Sequence, residues 1–312
     1  KPRQRLNQRV IMHERLGARH HQERDVEFLA VTGVLGAEVL GVDLCEPLSD
    51  ANADRLYQGL TQYQVLFFRD QSFTPQSHLA LANALGEIDP GHPVYPHVEG
   101  FQSIVELIAD ADNPPDTEDW HKDLTFRATP PFASILRAVS VPSVGGDTLW
   151  ASMSAVYEAL SDGWKADLAP LLAVHDMGTF RNDYYQRGGV NEINRALSEV
   201  GSAVHPVVEI HPVSGLKYLN VNQSFTRQIL NMTQGPSDEI LQYLYQQVRK
   251  PEFQVRLRWQ DDTVAIWDNR VTQHYAVCDY LPNRRHMQRV TVNRDKRAPP
   301  PQDVVDVGRN GN

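Results

Sequence analysis

Apolar residues in this chain fall mainly into short continuous or alternating runs, bounded by glycine, proline and polar turn residues. Residues 28–31 and 37–42 read as strands separated by the turn-forming Gly33 and Gly36. Ser49-Asp50-Ala51-Asn52 is a cap signature for a helix to about Tyr63, with Ala51, Leu56 and Leu60 near one face. Residues 65–69 (Val-Leu-Phe-Phe-Arg) suit a buried strand. Thr74-Pro75 opens a second helix, which carries Leu79, Leu81, Ala82 and Leu85 and ends at Gly86.

A polar, proline-containing loop spans 110–119, and residues 120–126 (Trp-His-Lys-Asp-Leu-Thr-Phe) then read as an extended strand. Further strands are expected at 133–139 and 147–150, about a turn at Gly145-Gly146. Ser154 is a cap for a short helix through Leu160, and Ser161 for another through Leu172. Residues 181–200 are polar and contain glycines, the pattern of a mobile loop. Residues 204–210 and 217–221 pair as strands about Ser214-Gly215, and a helix runs from Ser237 to about Arg249. Residues 253–259, 262–267 and 289–293 complete a late set of strands. No internal repeat or long linker divides the chain. Many short strands with a few helices predict one mainly β domain over 26–298, a barrel or jelly roll decorated by helices.

Composition narrows the class. The chain has 312 residues, 41% hydrophobic and 22% charged, ordinary for a soluble globular protein. A formal net charge of -9 argues against general nucleic-acid binding. No apolar stretch is long enough for a transmembrane helix, so no membrane partner is expected. Cys45 and Cys278 are too few for a disulfide framework and fit a reducing, cytoplasmic setting. Residues 1–25 are a basic extension, with Lys1 and arginines at 3, 5, 9, 15, 19 and 24, and are expected to be poorly ordered. The polar tail 299–312 carries the same expectation.

The candidate chemistry begins at His121-Lys122-Asp123. On an extended backbone residues two apart share a face, so the imidazole and the carboxylate converge while Lys122 turns away. They are two thirds of the 2-His-1-carboxylate set that holds non-heme Fe(II) with positions left open. His274, in a distant strand-like segment, is available as the third ligand. Beyond it stand Arg284, Arg285 and Arg289, whose planar donor forks match carboxylates or sulfonates. A zinc hydrolase could use the same three ligands with water at the open position, but it has no need of such arginines.

Long ordered motifs sharpen this picture. They are His92-Pro93-Val94-Tyr95-Pro96-His97, Asn113-Pro114-Pro115-Asp116, Trp120-His121-x-Asp123 and Gly145-Gly146-Asp147-Thr148-Leu149-Trp150. Trp267-Asp268-Asn269-Arg270-Val271-Thr272-Gln273-His274-Tyr275 and Asp279-Tyr280-Leu281-Pro282-x-Arg284-Arg285-x-Met287-x-Arg289 follow. With these the chain resembles the taurine dioxygenase (TauD-like) family of Fe(II)/2-oxoglutarate-dependent oxygenases, from about Val26 to Lys296.

The resemblance implies a double-stranded β-helix, cupin-like, with His121, Asp123 and His274 as iron ligands. It implies that Arg285, helped by Thr148, holds the distal carboxylate of 2-oxoglutarate. Arg289 and His92 would bind the substrate's sulfonate, and Tyr95, Phe180 and Phe225 would line the pocket. The implied reaction uses O2 to hydroxylate the carbon bearing the sulfonate of taurine or a related alkanesulfonate. It releases sulfite and an aldehyde, with succinate and CO2. An alkyl sulfate or a phenoxyalkanoate is the alternative substrate of the same chemistry. The expected partner is thus a small anionic molecule, and the expected assembly a homo-oligomer, dimer or tetramer. Where taurine-specific members carry Asn this chain has Thr117, which keeps a hydroxyl and loses the amide. Anion capture is therefore expected to be conserved in kind, and selectivity at the substrate's other end to differ.

Overall fold

The computed structural model describes residues 25–92, 95–115 and 119–299. Residues 1–24 and 300–312 lie outside these, and with them nearly all of the two segments expected to be poorly ordered. β1 (Glu27–Ala30) and β2 (Ala37–Leu40) form a hairpin, followed by α1 (Asp50–Tyr63), β3 (Val65–Phe68), α2 (Pro75–Leu85) and β4 (Gly86–Ile88). The cap signatures act as expected. Ser49 Oγ accepts from the Asn52 N–H, and Thr74 and Ser77 form a reciprocal capping box before Pro75. β5 (His97–Val98), β6 (Phe101–Ala109), β7 (Ala133–Ser140) and β8 (Thr148–Ser152) come next.

α3 (Met153–Glu158) is capped by Ser152 rather than Ser154, and α4 (Asp162–Leu168) stops short of Leu172, which opens β9 (Leu172–Asp176). Residues expected as a mobile loop are instead α5 (Phe180–Glu199), broken by a kink at Gly188 and Gly189. Two adjacent glycines made the segment read as loop; they mark one sharp bend in a helix whose Tyr184 and Ala196 are buried. β10 (Ser202–Pro206), β11 (Val208–Ile210), β12 (Lys217–Leu219) and β13 (Thr226–Ile229) lead to α6 (Gln234–Val248), which starts three residues before Ser237. β14 (Gln254–Leu257), β15 (Val264–Asp268), β16 (Thr272–Ala276) and β17 (Arg285–Asp295) close the fold. β17 is longer than expected, because it begins at Arg285 rather than Arg289.

The main sheet runs β1-β2-β3-β15-β7-β17-β6-β5, with β4 added to β17. Its central strands are covered on both faces, and alternation sorts their side chains. Leu66, Phe68, Ile135, Val264, Ile266, Val290 and Val292 pack with Leu56, Leu60, Leu81 and Leu85 of α1 and α2. Val65, Phe67, Leu136, Ala265, Trp267 and Met287 face the opposite way, onto Trp150, Val255 and Leu257 of a second sheet, β14-β8-β16. Two sheets closing on a shared apolar interior make the jelly roll that the strand pattern predicts. Arg285 and Arg289 have the same strand parity as Met287, so both point into that interior. Two smaller sheets, β10-β9-β13 and β11-β12, complete the architecture. No helix among the described residues is long and apolar enough to cross a membrane.

Candidate active site

Residues 120–126 are not the strand expected from their composition. His121 makes one antiparallel bridge to His274 on β16, donating its N–H to the His274 carbonyl at 3.1 Å and accepting from the His274 N–H at 2.8 Å. The backbone then turns, with Leu124 at φ 54°, an uncommon conformation for a branched residue. Side chains from elsewhere hold this turn. Thr125 Oγ1 accepts from Asn222 Nδ2 and meets His175 Nδ1, both at 3.0 Å, and His205 Nε2 lies 2.8 Å from the Thr125 carbonyl. Asn269 is fully buried and clasps Asp123: its Oδ1 accepts the Asp123 N–H at 2.9 Å, and its Nδ2 donates to the carbonyls of Asp123 and Pro131 at 3.1 Å.

The one-residue bridge still brings His121 and Asp123 to the same side, and His274 to meet them. Their ligand atoms all lie within 4.8 Å of one another. Asp123 Oδ1 stands 4.0 Å from His121 Nε2 and 3.9 Å from His274 Nε2. These gaps are too long for hydrogen bonds. A single ion with ligand bonds of about 2.0–2.2 Å bridges such a span.

The donor chemistry fits a metal. His121 Nδ1 lies 2.9 Å from the Asp119 carbonyl, which leaves Nε2 with its lone pair toward Asp123. Burial, reinforced by His121, pulls the His274 imidazole down to about 3, so it is neutral at pH 7. Burial opposes charge on Asp123, but the Arg289 guanidinium, the two imidazoles and the Ser134 hydroxyl outweigh it. The carboxyl is held well below its usual range. Ser134 Oγ donates to Asp123 Oδ2 at 2.9 Å, which orients Oδ1 toward the two imidazoles. Lys122 does turn away from the site, yet it is buried, with Nζ donating to the Arg270 carbonyl at 2.7 Å and to Asn220 Oδ1.

Arg285 and Thr148 meet as expected. Arg285 is 9% exposed and makes no ion pair among the described residues; its Nε donates to the Gly146 carbonyl at 3.2 Å. Burial lowers its pKa, so its charge is costly where it sits. Its Nη2 lies 3.5 Å from Thr148 Oγ1, which also accepts from Trp259 Nε1 at 2.9 Å. With both acceptor positions taken, the Thr148 hydroxyl has its own hydrogen left to give. The pair therefore presents only donors and a positive charge, the complement of a carboxylate.

Arg289 Nη1 lies 3.2 Å from Asp123 Oδ1, on the metal-facing side of that carboxylate. Its Nε is buried without a partner among the described residues. Burial first, and Arg289 second, pull the His92 imidazole down to about 3, so His92 and Arg289 are neighbours. His92 packs between Tyr95 and Phe180, with ring centroids 4.7 and 5.1 Å away. Phe225 reaches His121 edge-on at 6.4 Å and stacks with Phe180 at 6.1 Å. The fold thus brings together every pocket residue expected from the sequence except Thr117, which lies outside the described residues. Ser134 and Asn269 were not singled out from the sequence; Asn269 lies inside the ordered Trp267–Tyr275 motif, which was the available signal.

Fold and site together define a class, a jelly-roll protein whose interior converges two imidazoles and a carboxylate, with Arg289 against the carboxylate and a buried Arg285 on the same strand. The model of the family described as "Taurine catabolism dioxygenase TauD, TfdA family" matches residues 27–291, and the chain belongs to that family. An α-ketoglutarate-dependent sulfate ester dioxygenase of Pseudomonas putida is 36% identical over 285 residues, 88% of this chain and 91% of that protein. An alkylsulfatase of Acinetobacter baylyi is 33% identical over 278 residues, 86% of this chain and 85% of its own length. Among solved structures, a taurine dioxygenase from Burkholderia xenovorans superimposes with a TM-score of 0.75 at 34% identity, covering 86% of this chain and 90% of that one. The chain is accordingly an α-ketoglutarate (2-oxoglutarate)-dependent dioxygenase, and its cofactors are Fe(II), 2-oxoglutarate and O2.

Proposed function

We propose that this enzyme hydroxylates the carbon next to the anionic head of a small organic sulfonate or sulfate ester. The observation that carries the reading is Arg289, a guanidinium on a side chain only 11% exposed and 3.2 Å from the metal-facing oxygen of Asp123. An anion held by Arg289 and hydrogen-bonded by the neutral His92 lies beside the three candidate ligands. The carbon that bears it then lies within reach of the metal.

His121, Asp123 and His274 would hold Fe(II), which supplies the O2-dependent C–H oxidation when bound. Arg285 and the Thr148 hydroxyl would take the distal carboxylate of 2-oxoglutarate, so that its keto acid end is directed toward the metal. Phe126, Phe180 and Phe225 exclude water around the reacting carbon. In the overall reaction one oxygen atom enters the substrate C–H bond and the other enters succinate, with loss of CO2. The new hydroxyl shares its carbon with the head group. Loss of its proton drives cleavage of the bond to that head, leaving an aldehyde and sulfate from an ester, or sulfite from a sulfonate.

Taurine is one member of this class, and alkyl sulfates are the other principal one. The test has two parts. Without O2, Fe(II) and 2-oxoglutarate should give a visible charge-transfer band in the wild type and not in His274→Ala. With O2, a panel of sulfonates, sulfate esters and phenoxyalkanoates should yield sulfite or sulfate with stoichiometric succinate. Product only from the phenoxyalkanoates would refute the head-group assignment.

A further inference from the structure

The geometry points to Asn222 as a positioning residue, whose amide joins the turn after Asp123 to the aromatic wall of the substrate pocket and so keeps oxidation of 2-oxoglutarate coupled to oxidation of the substrate. This rests on the reading that a substrate carbon is held beside the three candidate ligands, whatever its head group.

Asn222 is fully buried, in the segment between β12 and β13. Its N–H donates to Thr226 Oγ1 at 2.9 Å and its carbonyl accepts the Thr226 N–H at 3.0 Å, which closes residues 222–226 into a tight turn. Its Oδ1 accepts the Phe225 N–H at 3.0 Å. A backbone N–H can only donate, so this contact fixes which end of the amide is oxygen. Nδ2 is thereby aimed at Thr125 Oγ1, 3.0 Å away. Thr125 stands two residues after Asp123 and one before Phe126. His175, on the same hydroxyl, is neutral, because burial pulls its imidazole down to about 3. The joint therefore carries no charge and acts through geometry.

On its other side stands a cluster of rings. Phe225 reaches His121 edge-on at 6.4 Å and Phe126 edge-on at 5.2 Å, and Phe126 meets Phe180 at 6.2 Å. Phe126 and Phe180, with His92, line a cavity of about 330 Å³. The Phe225 carbonyl accepts the Asp176 N–H at 2.9 Å, so its backbone is pinned on both sides. One amide thus bonds both Phe225 and the segment that runs from Asp123 to Phe126.

Without that amide the rings and the ligand segment can shift relative to one another. A target carbon misplaced by about 1 Å is oxidised roughly 10²-fold more slowly. The proposed anchors of 2-oxoglutarate, Arg285 and Thr148, lie on β17 and β8, outside this joint, so its oxidation to succinate and CO2 continues. The oxygen atom meant for the substrate then leaves as water, with two electrons and two protons from ascorbate supplied in the assay.

The experiment compares wild type with Asn222→Ala, Thr125→Val and Thr125→Ser. Each is loaded with Fe(II), 2-oxoglutarate and ascorbate and given the sulfate ester or sulfonate that wild type turns over fastest. Wild type should make nearly equal amounts of product and succinate. Asn222→Ala and Thr125→Val should make roughly half as much product as succinate, or less, with kcat/KM for the substrate down on the order of 10²-fold and KM for 2-oxoglutarate unchanged. Thr125→Ser keeps the hydroxyl and should stay near wild type. Product equal to succinate in both disrupted variants, however much stability they lose, overturns the proposal. A second readout needs no substrate. Enzyme labelled with 4-fluorophenylalanine and loaded with Co(II) gives a fluorine resonance for Phe225, assigned with Phe225→Leu, whose paramagnetic shift reports where the ring lies relative to the metal. It should move in Asn222→Ala and Thr125→Val and hold in Thr125→Ser; an unmoved resonance overturns the positioning role. If Asn222→Ala does not fold, the two Thr125 variants decide. No product from any sulfate ester or sulfonate, with the resonance moving as expected, overturns the substrate reading and leaves the positioning role standing.

Discussion

Asn269 offers the most demanding test of how the metal loop is held. The side chain is fully buried and makes three hydrogen bonds to backbone, two of them to Asp123. Asn269→Ala leaves the Asp123 N–H and two carbonyls buried without those partners. A stranded N–H costs about 2 kcal/mol and each carbonyl, with a second lone pair to use, about 1 kcal/mol. The expected loss is about 4 kcal/mol, a large fraction of the stability of an ordinary domain but short of unfolding most. The functional loss follows from orientation: with the Asp123 backbone free to shift, Oδ1 no longer converges with His121 and His274. Affinity for Fe(II), or for Co(II) as a redox-stable probe, should drop roughly 10- to 100-fold. Urea denaturation gives the first quantity and calorimetric metal titration the second. A variant within 1 kcal/mol of wild type that binds metal equally well would refute the clasp as the device that positions Asp123.

Arg285→Gln should raise KM for 2-oxoglutarate roughly 30- to 100-fold, the worth of one charge-assisted pair, while leaving the melting temperature unchanged or higher, because a buried cation without an ion-pair partner among the described residues is removed. A co-substrate titration and a thermal melt read the two effects separately. Gly146 sits at φ 73°, and a Cβ there would stand 3.2 Å from Arg285 Cδ and 3.3 Å from the Tyr280 ring; Gly146→Ala should cost about 1–2 kcal/mol in urea melts and weaken 2-oxoglutarate binding by displacing Arg285. His78, buried between α2 and β7 with Nε2 3.2 Å from the Ile135 carbonyl, is pulled by burial from 6.5 down to about 4. Below pH 6.5 the unfolded chain takes up this proton before the folded one, so stability is full above pH 6.5 and declines toward pH 4, by about 3 kcal/mol from this group. Urea melts at pH 7.5, 5.5 and 4.5 should show a shallower decline for His78→Gln than for wild type.

What could be read from the chain was whatever depends on near neighbours. Ser49 and Thr74 announced their helices because a cap needs only the next three residues. β3 announced itself as a buried strand because both its faces are apolar. The likeness of His121-x-Asp123, His274, Arg285 and Thr148 to an ordered family pattern pointed to the chemistry, and the fold brings the first three together and sets Arg285 beside Thr148.

Local signals failed where a distant contact outweighs local propensity. Residues 120–126 have strand composition, but only His121 finds a strand partner. Thr125 and Leu124 turn instead because Asn222, His175 and His205 supply hydrogen bonds that a ladder would have supplied. The Gly188-Gly189 pair reads as loop in one dimension, and only packing against Phe126 and Leu124 shows that it folds one helix back around an apolar space. The sequence by itself determined the strand-rich class, the ligand types and the charge offered to anionic substrates, since these follow from residue identity and period. Tertiary structure alone decided that Asn269 clasps Asp123, that Arg289 points at the metal-facing oxygen, and that a cavity opens beside them. Each of these joins residues far apart in the chain, and burial sets its strength by removing the water that would otherwise compete.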